Sequence, residues 1–168
     1  MSGWDQYITG MIQNKQLPDG SWLQNVVQEA AILTLDGTVA ACTPGFKLST
    51  YEYEVTDTDP TGKEIKKKVP VNETEVMLKI VLEGNGKVNE AGLRINSSKY
   101  MLANYDKDRK LAYLSKIKGG ACAMATKTLI IYAAYNSGAK MSNGHEQGAA
   151  STNEVVEKVA SMLIASGC

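Results

Sequence analysis

The sequence predicts an α+β domain in which a central antiparallel β-sheet is accompanied by a helix at each end of the chain. Apolar residues recur at helical spacing in residues 3–14 and again in residues 153–165. Between Gly92 and Tyr135 the chain is a continuous series of short strand-like runs joined by short turns. Strands that follow one another through short turns pair as antiparallel neighbours.

The overall composition predicts a single domain with an ordinary core. The 168 residues include 18 basic and 18 acidic side chains, so no excess charge argues for a nucleic acid partner. No apolar run approaches the ~20 residues of a membrane span, and the N-terminus lacks the features of a secretory signal. Three scattered cysteines, Cys42, Cys122 and Cys168, favour a reducing, cytoplasmic environment.

The N-terminal half is predicted to contain one hairpin in the sheet. A turn cluster at residues 17–21 follows the first helix, and residues 26–35 form the first strand candidate. Asp36-Gly37 is a strong two-residue turn signal, after which residues 38–42 return as the second strand.

Residues 51–69 predict a protruding β-hairpin arm. Tyr51, Tyr53 and Val55 alternate with acidic residues, a turn follows, and the returning half carries the basic run 66–68. Because an isolated hairpin is marginally stable in water, we expect this arm to be exposed and mobile until something holds it. A long solvated loop is the alternative.

The C-terminal half is predicted to contain two capped helices and five strands. Asn72 and Glu75 form a capping box for a helix that Gly84 ends. The strand candidates are residues 92–96, 99–105, 111–116, 121–126 and 128–135. A flexible loop at residues 137–150 follows, and Asn153 is predicted to cap the last helix.

The sequence contains no recognisable catalytic or metal-binding arrangement. The single histidine, His145, lies among turn-forming residues that offer no orienting partner for a nucleophile–base pair. Cys122 lies in an apolar strand and is predicted to be an unreactive core thiol. We therefore predict no catalytic residues, no metal and no cofactor, and interpret the chain as a binding module.

Five segments, taken in order, resemble the profilin family of actin-monomer-binding proteins. The opening helix with Trp4 and Tyr7 resembles the family's Trp-x-x-Tyr helix. The other four segments are residues 36–40, residues 92–95 with 99–100, residues 116–121 and residues 153–158. The resemblance covers most of the chain, and it marks the 51–69 arm and the 137–150 loop as insertions in a single domain, residues 1–168.

The resemblance implies that both terminal helices pack on one face of the sheet. It also implies one-to-one binding of monomeric actin by a monomer that regulates filament assembly and actin nucleotide exchange. By position, the actin-binding residues are Lys99, Leu102, Lys116, Lys118, Ala123, Asn153, Glu154 and Glu157. Glu154 and Glu157 replace residues of other character in some family members, so those contacts are expected to differ.

The resemblance also implies a second surface, on the terminal helices, for proline-rich proteins such as formins. Its residues in this chain are Trp4, Tyr7, Met162 and Leu163. Aromatic positions of the family are occupied here by Ala40, Met162 and Cys168, so we expect this binding to be weak. Trp22 is a candidate substitute for a missing ring.

Three further expectations complete this interpretation. Phosphoinositides are a family partner, and Lys66, Lys67 and Lys68 form the only obvious basic run for them. The expected location is the cytoplasm, in association with the cytoskeleton. The alternative is that the chain is a profilin-like scaffold for a small GTPase or another protein, because a fold does not fix a function.

Overall fold

The computed structural model describes residues 3–168, which form three helices, one π-helical turn and eleven strands. The helical elements are α1 (Asp5–Tyr7), the π-helical turn (Ile8–Ile12), α2 (Glu73–Glu83) and α3 (Ala149–Ala165). The strands are β1 (Lys15–Gln16), β2 (Trp22–Leu23), β3 (Glu29–Thr34), β4 (Val39–Cys42), β5 (Thr50–Thr58), β6 (Glu64–Asn72), β7 (Leu93–Ile95), β8 (Ser98–Asp106), β9 (Leu111–Lys116), β10 (Gly119–Ala125) and β11 (Leu129–Asn136).

Seven of these strands form one antiparallel sheet, as the sequence predicted. Their order is β4-β3-β11-β10-β9-β8-β7, so β10 lies in the centre. The pairs β1-β2 and β5-β6 form two separate two-stranded ribbons. Each predicted strand is present, with boundaries that differ by at most three residues from the pattern in the sequence.

The helices divide the core into two layers, one on each face of the sheet. Ile8 and Ile12 pack with the apolar side of α3 against one face. The apolar side of α2, including Met77 and Ile80, packs against the other face. The prediction that both terminal helices lie on the same face is therefore confirmed.

The first helix is shorter and wider than the predicted helix over residues 3–14. The backbone N–H of Gln13 donates to the carbonyl of Ile8 at 2.9 Å, which is the spacing of a π-helical turn. Ile8 and Ile12, the first and last residues of this turn, are both buried. The apolar pattern predicted a helix but could not indicate this change in its winding.

The predicted cap of α2 is confirmed, whereas the predicted cap of α3 is wrong. The Oδ1 atom of Asn72 accepts a hydrogen bond from the backbone N–H of Glu75 at 3.1 Å. In α3 the N-cap is Gly148, and Asn153 lies inside the second turn. Asparagine is only weakly disfavoured in a helix interior, so packing of the preceding residues extended this helix.

The connection before α3 is bonded to the rest of the molecule and ends earlier than the predicted 137–150 loop. The buried side chain of Gln147 donates to the carbonyl of Asn25 at 3.0 Å and accepts from the N–H of Asn136 at 3.2 Å. Asn25 in turn donates from Nδ2 to the carbonyl of Lys140 at 2.7 Å. These bonds attach the connection to the segment that follows β2.

The predicted 51–69 arm is an antiparallel ribbon of β5 and β6, and its base is attached to the body by Glu73. This carboxylate is 0% exposed. It accepts hydrogen bonds from the hydroxyl of Tyr51 at 2.8 Å, the N–H of Ser49 at 3.0 Å and the N–H of Ser97 at 2.8 Å. One side chain therefore connects the arm, α2 and the β7-β8 turn.

We expect Glu73→Gln to lower the free energy of unfolding by about 2 kcal/mol, because an amide nitrogen would face groups that need an acceptor. Urea denaturation of the two proteins measures the difference. Glu75→Gln is the matched control, since Glu75 lies on the exposed side of the same first turn of α2. Equal losses in the two variants would contradict a specific role for Glu73.

Candidate functional site

A groove of about 870 Å³ lies where β8, β9 and β10 end at one edge of the molecule. It contains three of the lysines that the sequence predicted as binding residues, Lys99, Lys116 and Lys118. Its remaining lining residues are Ser98, Met101, Ser115, Ile117, Asn136 and Gly138. The groove thus combines positive charge with apolar surface.

The tip of the β9-β10 hairpin exposes an apolar side chain beside this groove. Ile117 is 92% exposed, and Met101 on β8 is 69% exposed. Lys118, the next residue of the tip, has φ of 57°, a left-handed conformation that favours glycine over lysine. Exposed apolar side chains and a left-handed lysine do not stabilise the isolated fold. Both are typical of a surface that contacts a partner.

Lys116 is held inside the groove rather than extended into solvent. Its Nζ atom lies 5.4 Å from the centroid of the Tyr100 ring. Burial lowers the pKa of Lys116, and the charge of Glu29 acts in the opposite direction. The Tyr100 hydroxyl is 3.2 Å from the Tyr132 hydroxyl, which donates to Glu29 at 3.0 Å, so the ring beside Lys116 belongs to a buried polar network.

The α3 residues predicted as binding residues face two different neighbours. Asn153 and Glu157 are four residues apart and share one side of the helix. Glu157 accepts from Arg109 at 2.7 Å, and Arg109 also binds Asp106 at 2.8 Å. These two carboxylates raise the pKa of Arg109. Tyr113 of β9 is also close to this ion pair.

Glu154 lies beside the N-terminal segment instead. Its carboxylate binds Lys15, the first residue of β1, at 2.8 Å. The side chain of Lys15 is 18% exposed, whereas that of Glu154 is 61% exposed. Glu154 is therefore separated from the Asn153–Glu157 side of the helix.

Of the two apolar residues predicted for the same surface, one is accessible and one is not. Leu102 is partly exposed and lines a second depression, of about 610 Å³, that shares Lys99 and Met101 with the groove. Ala123 is 0% exposed, in the core layer beneath α2. Because β10 is covered on both faces, Ala123 does not contribute to the accessible surface.

The aromatic pair predicted on the terminal helices is present. The ring centroids of Trp4 and Tyr7 are 5.2 Å apart and the rings are tilted by 49°. Both side chains are half-buried against the core layer of the terminal helices. Ala40 and Cys168 pack at the margin of the same layer, at positions where the family resemblance predicts aromatic rings.

The remaining residues of that surface are less accessible or lie elsewhere. Leu163 is 2% exposed and belongs mainly to the core, whereas Met162 is half-buried. Trp22 is 51% exposed on β2, opposite Gln16. In residues 3–168 no ring contact joins Trp22 to Trp4 or Tyr7.

The sequence pattern missed the two most exposed apolar residues of the groove, Ile117 and Met101. A signal for Ile117 was available, because an apolar residue between two lysines at a hairpin tip has no core to enter. No comparable signal existed for Met101, since an alternating strand gives no information on which face is covered. Arg109 was also missed, because its partner Glu157 lies 48 residues away.

The basic run of the arm does not form one positive patch. Side chains alternate along a strand, so Lys66 and Lys68 share one face of β6 and Lys67 points to the other. Lys67 binds Glu90 at 2.7 Å and Asp57 at 3.3 Å. The arrangement offers less positive surface to a phosphoinositide than the sequence indicated.

Residues 3–168 contain neither a metal-binding group of side chains nor a membrane-spanning helix. No three His, Cys, Asp or Glu side chains are grouped as a metal ion would require. None of the helices in this part of the chain has both the length and the apolar character needed to cross a bilayer.

Comparisons with known proteins agree with this architecture. The family model described as Profilin matches residues 2–168. Profilin of Tetrahymena pyriformis is 32% identical over 169 residues, which cover 99% of each chain.

Solved structures share the fold at lower identity. Acanthamoeba castellanii profilin IA has a TM-score of 0.65 and 20% identity, with 99% of this chain and 100% of that chain covered. Mouse profilin IIa, solved in complex with a double repeat from the FH1 domain of mDia1, has a TM-score of 0.58 and 14% identity with the same coverage. The match over nearly the whole sequence shows that this chain belongs to the profilin family, whose members are non-enzymatic actin-binding proteins.

Proposed function

We propose that this chain binds monomeric actin one-to-one and thereby regulates filament assembly and actin nucleotide exchange. The proposed surface comprises the groove with Lys99, Lys116 and Lys118, and extends to Leu102 and to the Asn153–Glu157 side of α3. The proposed place of action is the cytoplasm, at the actin cytoskeleton. The observation that carries the proposal is the exposed Ile117 at the hairpin tip between two groove lysines.

The chemistry of the groove suits a protein partner with a negatively charged surface. Exposed Ile117 and Met101 provide apolar area that is buried when a partner covers the groove. The surrounding lysines increase the association rate and set the orientation of such a partner. Glu157 is already neutralised by Arg109, so this part of the surface presents an ion pair rather than an isolated acidic group.

We expect Lys116→Glu/Lys118→Glu to weaken binding to ATP-loaded monomeric actin by about ten-fold or more, because like charges would then face each other. Fluorescence or calorimetric titration measures the dissociation constant. The matched control is Lys47→Glu/Lys127→Glu, which changes the net charge equally at exposed positions away from the groove.

Unchanged binding by the folded groove variant would contradict the proposed surface. Equal weakening in the control would show that net charge, and not the groove, determines the affinity. Absence of binding by the unaltered protein would contradict the actin proposal itself.

We also propose that the terminal helices bind proline-rich segments weakly. Mouse profilin IIa was solved with an FH1 repeat, and this chain retains an aromatic pair in its N-terminal helix. Proline-rich helices pack against aromatic side chains, so each missing ring removes contact area. Ala40, Met162 and Cys168 supply little of that area.

We expect Ala40→Trp to strengthen binding of a proline-rich peptide about ten-fold, because it restores one wall next to Trp4 and Tyr7. In a Trp22→Phe background, tryptophan fluorescence reports on Trp4 for the otherwise unaltered protein, and calorimetry gives the affinity of each variant. Trp4→Phe, which keeps a smaller ring, is the control for loss of the indole. Tight, saturable binding before any substitution would contradict the weak site.

The arm is proposed to extend the actin-binding surface. The guanidinium of Arg94 lies 3.7 Å from the centroid of the Tyr53 ring, so β7 contacts the arm. In the register of β7 and β8, Arg94 lies directly opposite Lys99, and Lys99 lines the groove. The arm therefore lies one strand away from the proposed surface.

We expect replacement of residues 52–68 by a short Gly-Ser turn to weaken actin binding about five-fold while the domain remains folded, because contact area is lost and the core is not. Titration with monomeric actin measures the first effect, and thermal unfolding the second. The proline-rich peptide serves as an internal control for the opposite surface. Unchanged actin affinity would show that the arm makes no contact with actin.

A further inference from the structure

The two outer edges of the arm differ in their backbone hydrogen bonds. The N–H of Asp59 donates to the carbonyl of Lys63 at 2.9 Å, and the N–H of Glu73 donates to the carbonyl of Ser49 at 3.0 Å. Antiparallel pairs alternate between hydrogen-bonded and non-hydrogen-bonded positions. In the β5-β6 register between these two bonds, the hydrogen-bonded positions of β5 are therefore the odd-numbered residues. The even-numbered residues direct their N–H and C=O groups outward.

The outer edge of β6 is blocked. Pro70 occupies one of its outward positions and has no N–H to offer. The carbonyl of Pro70 accepts a hydrogen bond from Asn89 at 2.7 Å, which places this edge against the connection between α2 and β7. Lys66 and Lys68 occupy two more outward positions, and lysine is a residue that discourages edge pairing.

The outer edge of β5 has no proline and no lysine at its outward positions between residues 52 and 56. Its outward positions include Glu52, Glu54 and Thr56, and all three side chains are exposed. Within residues 3–168, no hydrogen bond engages the main chain of these three residues. The next outward N–H, that of Thr58, is occupied by the carboxylate of Asp57 at 2.8 Å. A stretch of strand therefore offers unpaired donors and acceptors to solvent.

We propose that the outer edge of β5 binds an extended basic segment of another protein by strand addition, with basic and apolar residues alternating along that segment. Strand addition uses the backbone for affinity and the alternating side chains for specificity. Glu52 and Glu54 lie on one face of β5, where basic side chains of the segment would be placed. Glu54 also pairs with Lys66 at 3.7 Å, but both side chains are largely exposed, so a basic residue of the segment can replace this contact. Tyr53 and Val55 lie on the other face, where its apolar side chains would be placed.

A second copy of this chain is a poor occupant of the same edge. Pairing β5 with another β5 would place the acidic side chains of Glu52 and Glu54 beside those of the partner copy. Pairing β5 with a second β6 would require an edge that Pro70 and Asn89 block. The charge of β5 and the blocking of β6 therefore favour a different, basic chain. This inference is independent of the proposed binding of actin.

The test uses an eight-residue probe peptide of alternating lysine and valine and the full-length protein without actin. Hydrogen exchange of the backbone amides is followed by NMR with the peptide at ten times its dissociation constant. We expect exchange at Glu52, Glu54 and Thr56 to slow about ten-fold, because only the free protein exchanges. Exchange at Tyr53 and Val55 should not change, since their N–H groups are already bonded within the arm.

A control peptide with four consecutive lysines and four consecutive valines has the same composition but cannot alternate. We expect it to bind about ten-fold more weakly and to protect none of these amides. Equal binding and equal protection by both peptides would overturn the proposal, because attraction by net charge alone would explain them. Absence of protection by the alternating peptide would overturn it as well.

A pair of substitutions at one position tests the backbone directly. Thr56→Pro removes an outward N–H without breaking a bond to β6, as Pro70 does on the opposite edge. Thr56→Val keeps that N–H and the β-branched shape. We expect Thr56→Pro to weaken binding of the alternating peptide about ten-fold and Thr56→Val to leave it unchanged. Equal affinities for a folded Thr56→Pro variant and the unaltered protein would overturn the proposal.

Discussion

The central strand of the sheet, β10, is covered on both faces, and this requirement shapes the rest of the molecule. Its residues are mostly glycine and alanine, so α3 can approach on one side and α2 on the other. At Gly120 a Cβ atom would lie 2.6 Å from the carbonyl of Leu114 and 2.8 Å from the hydroxyl of Tyr135. The small side chains of β10 therefore allow neighbouring groups to pack closely around the centre of the sheet.

Because the centre of the sheet is covered on both faces, the proposed binding surfaces lie at its ends and edges. The groove forms where β8, β9 and β10 extend beyond the helices, and Ile117 and Met101 remain exposed there. The Trp4–Tyr7 pair lies half-buried on the N-terminal helix, which Ile8 and Ile12 fix to the same core layer. Both proposed binding surfaces are therefore supported by rigid elements, which limits the ordering cost on binding.

The arm depends on a different constraint, the burial of the Glu73 carboxylate. A charged group in the core must find hydrogen-bond donors, and Glu73 finds them in Tyr51, Ser49 and Ser97. Burial, together with the hydrogen bond to the Glu73 carboxylate, raises the pKa of Tyr51 to about 12. The two strands of the arm are thus fixed where they leave the body, although most of their side chains face solvent. The sequence predicted an arm that is mobile until something holds it, because an isolated hairpin is marginally stable in water. The position of Glu73 in a first helical turn did not indicate that its carboxylate is buried against the base of the arm.

By itself the sequence determined the fold class, the order of the strands along the chain and the α2 cap at Asn72, because these depend on short-range patterns. The lysines of the groove were predicted from the resemblance to the profilin family and not from such a pattern. Only the tertiary structure decided that Ala123 is buried, that Glu154 binds Lys15, and that α3 begins at Ala149 rather than after Asn153. Each of these results depends on contacts between segments far apart in the chain. Such contacts leave no periodic signal, since the spacing of residues along the chain records only which neighbours share a face.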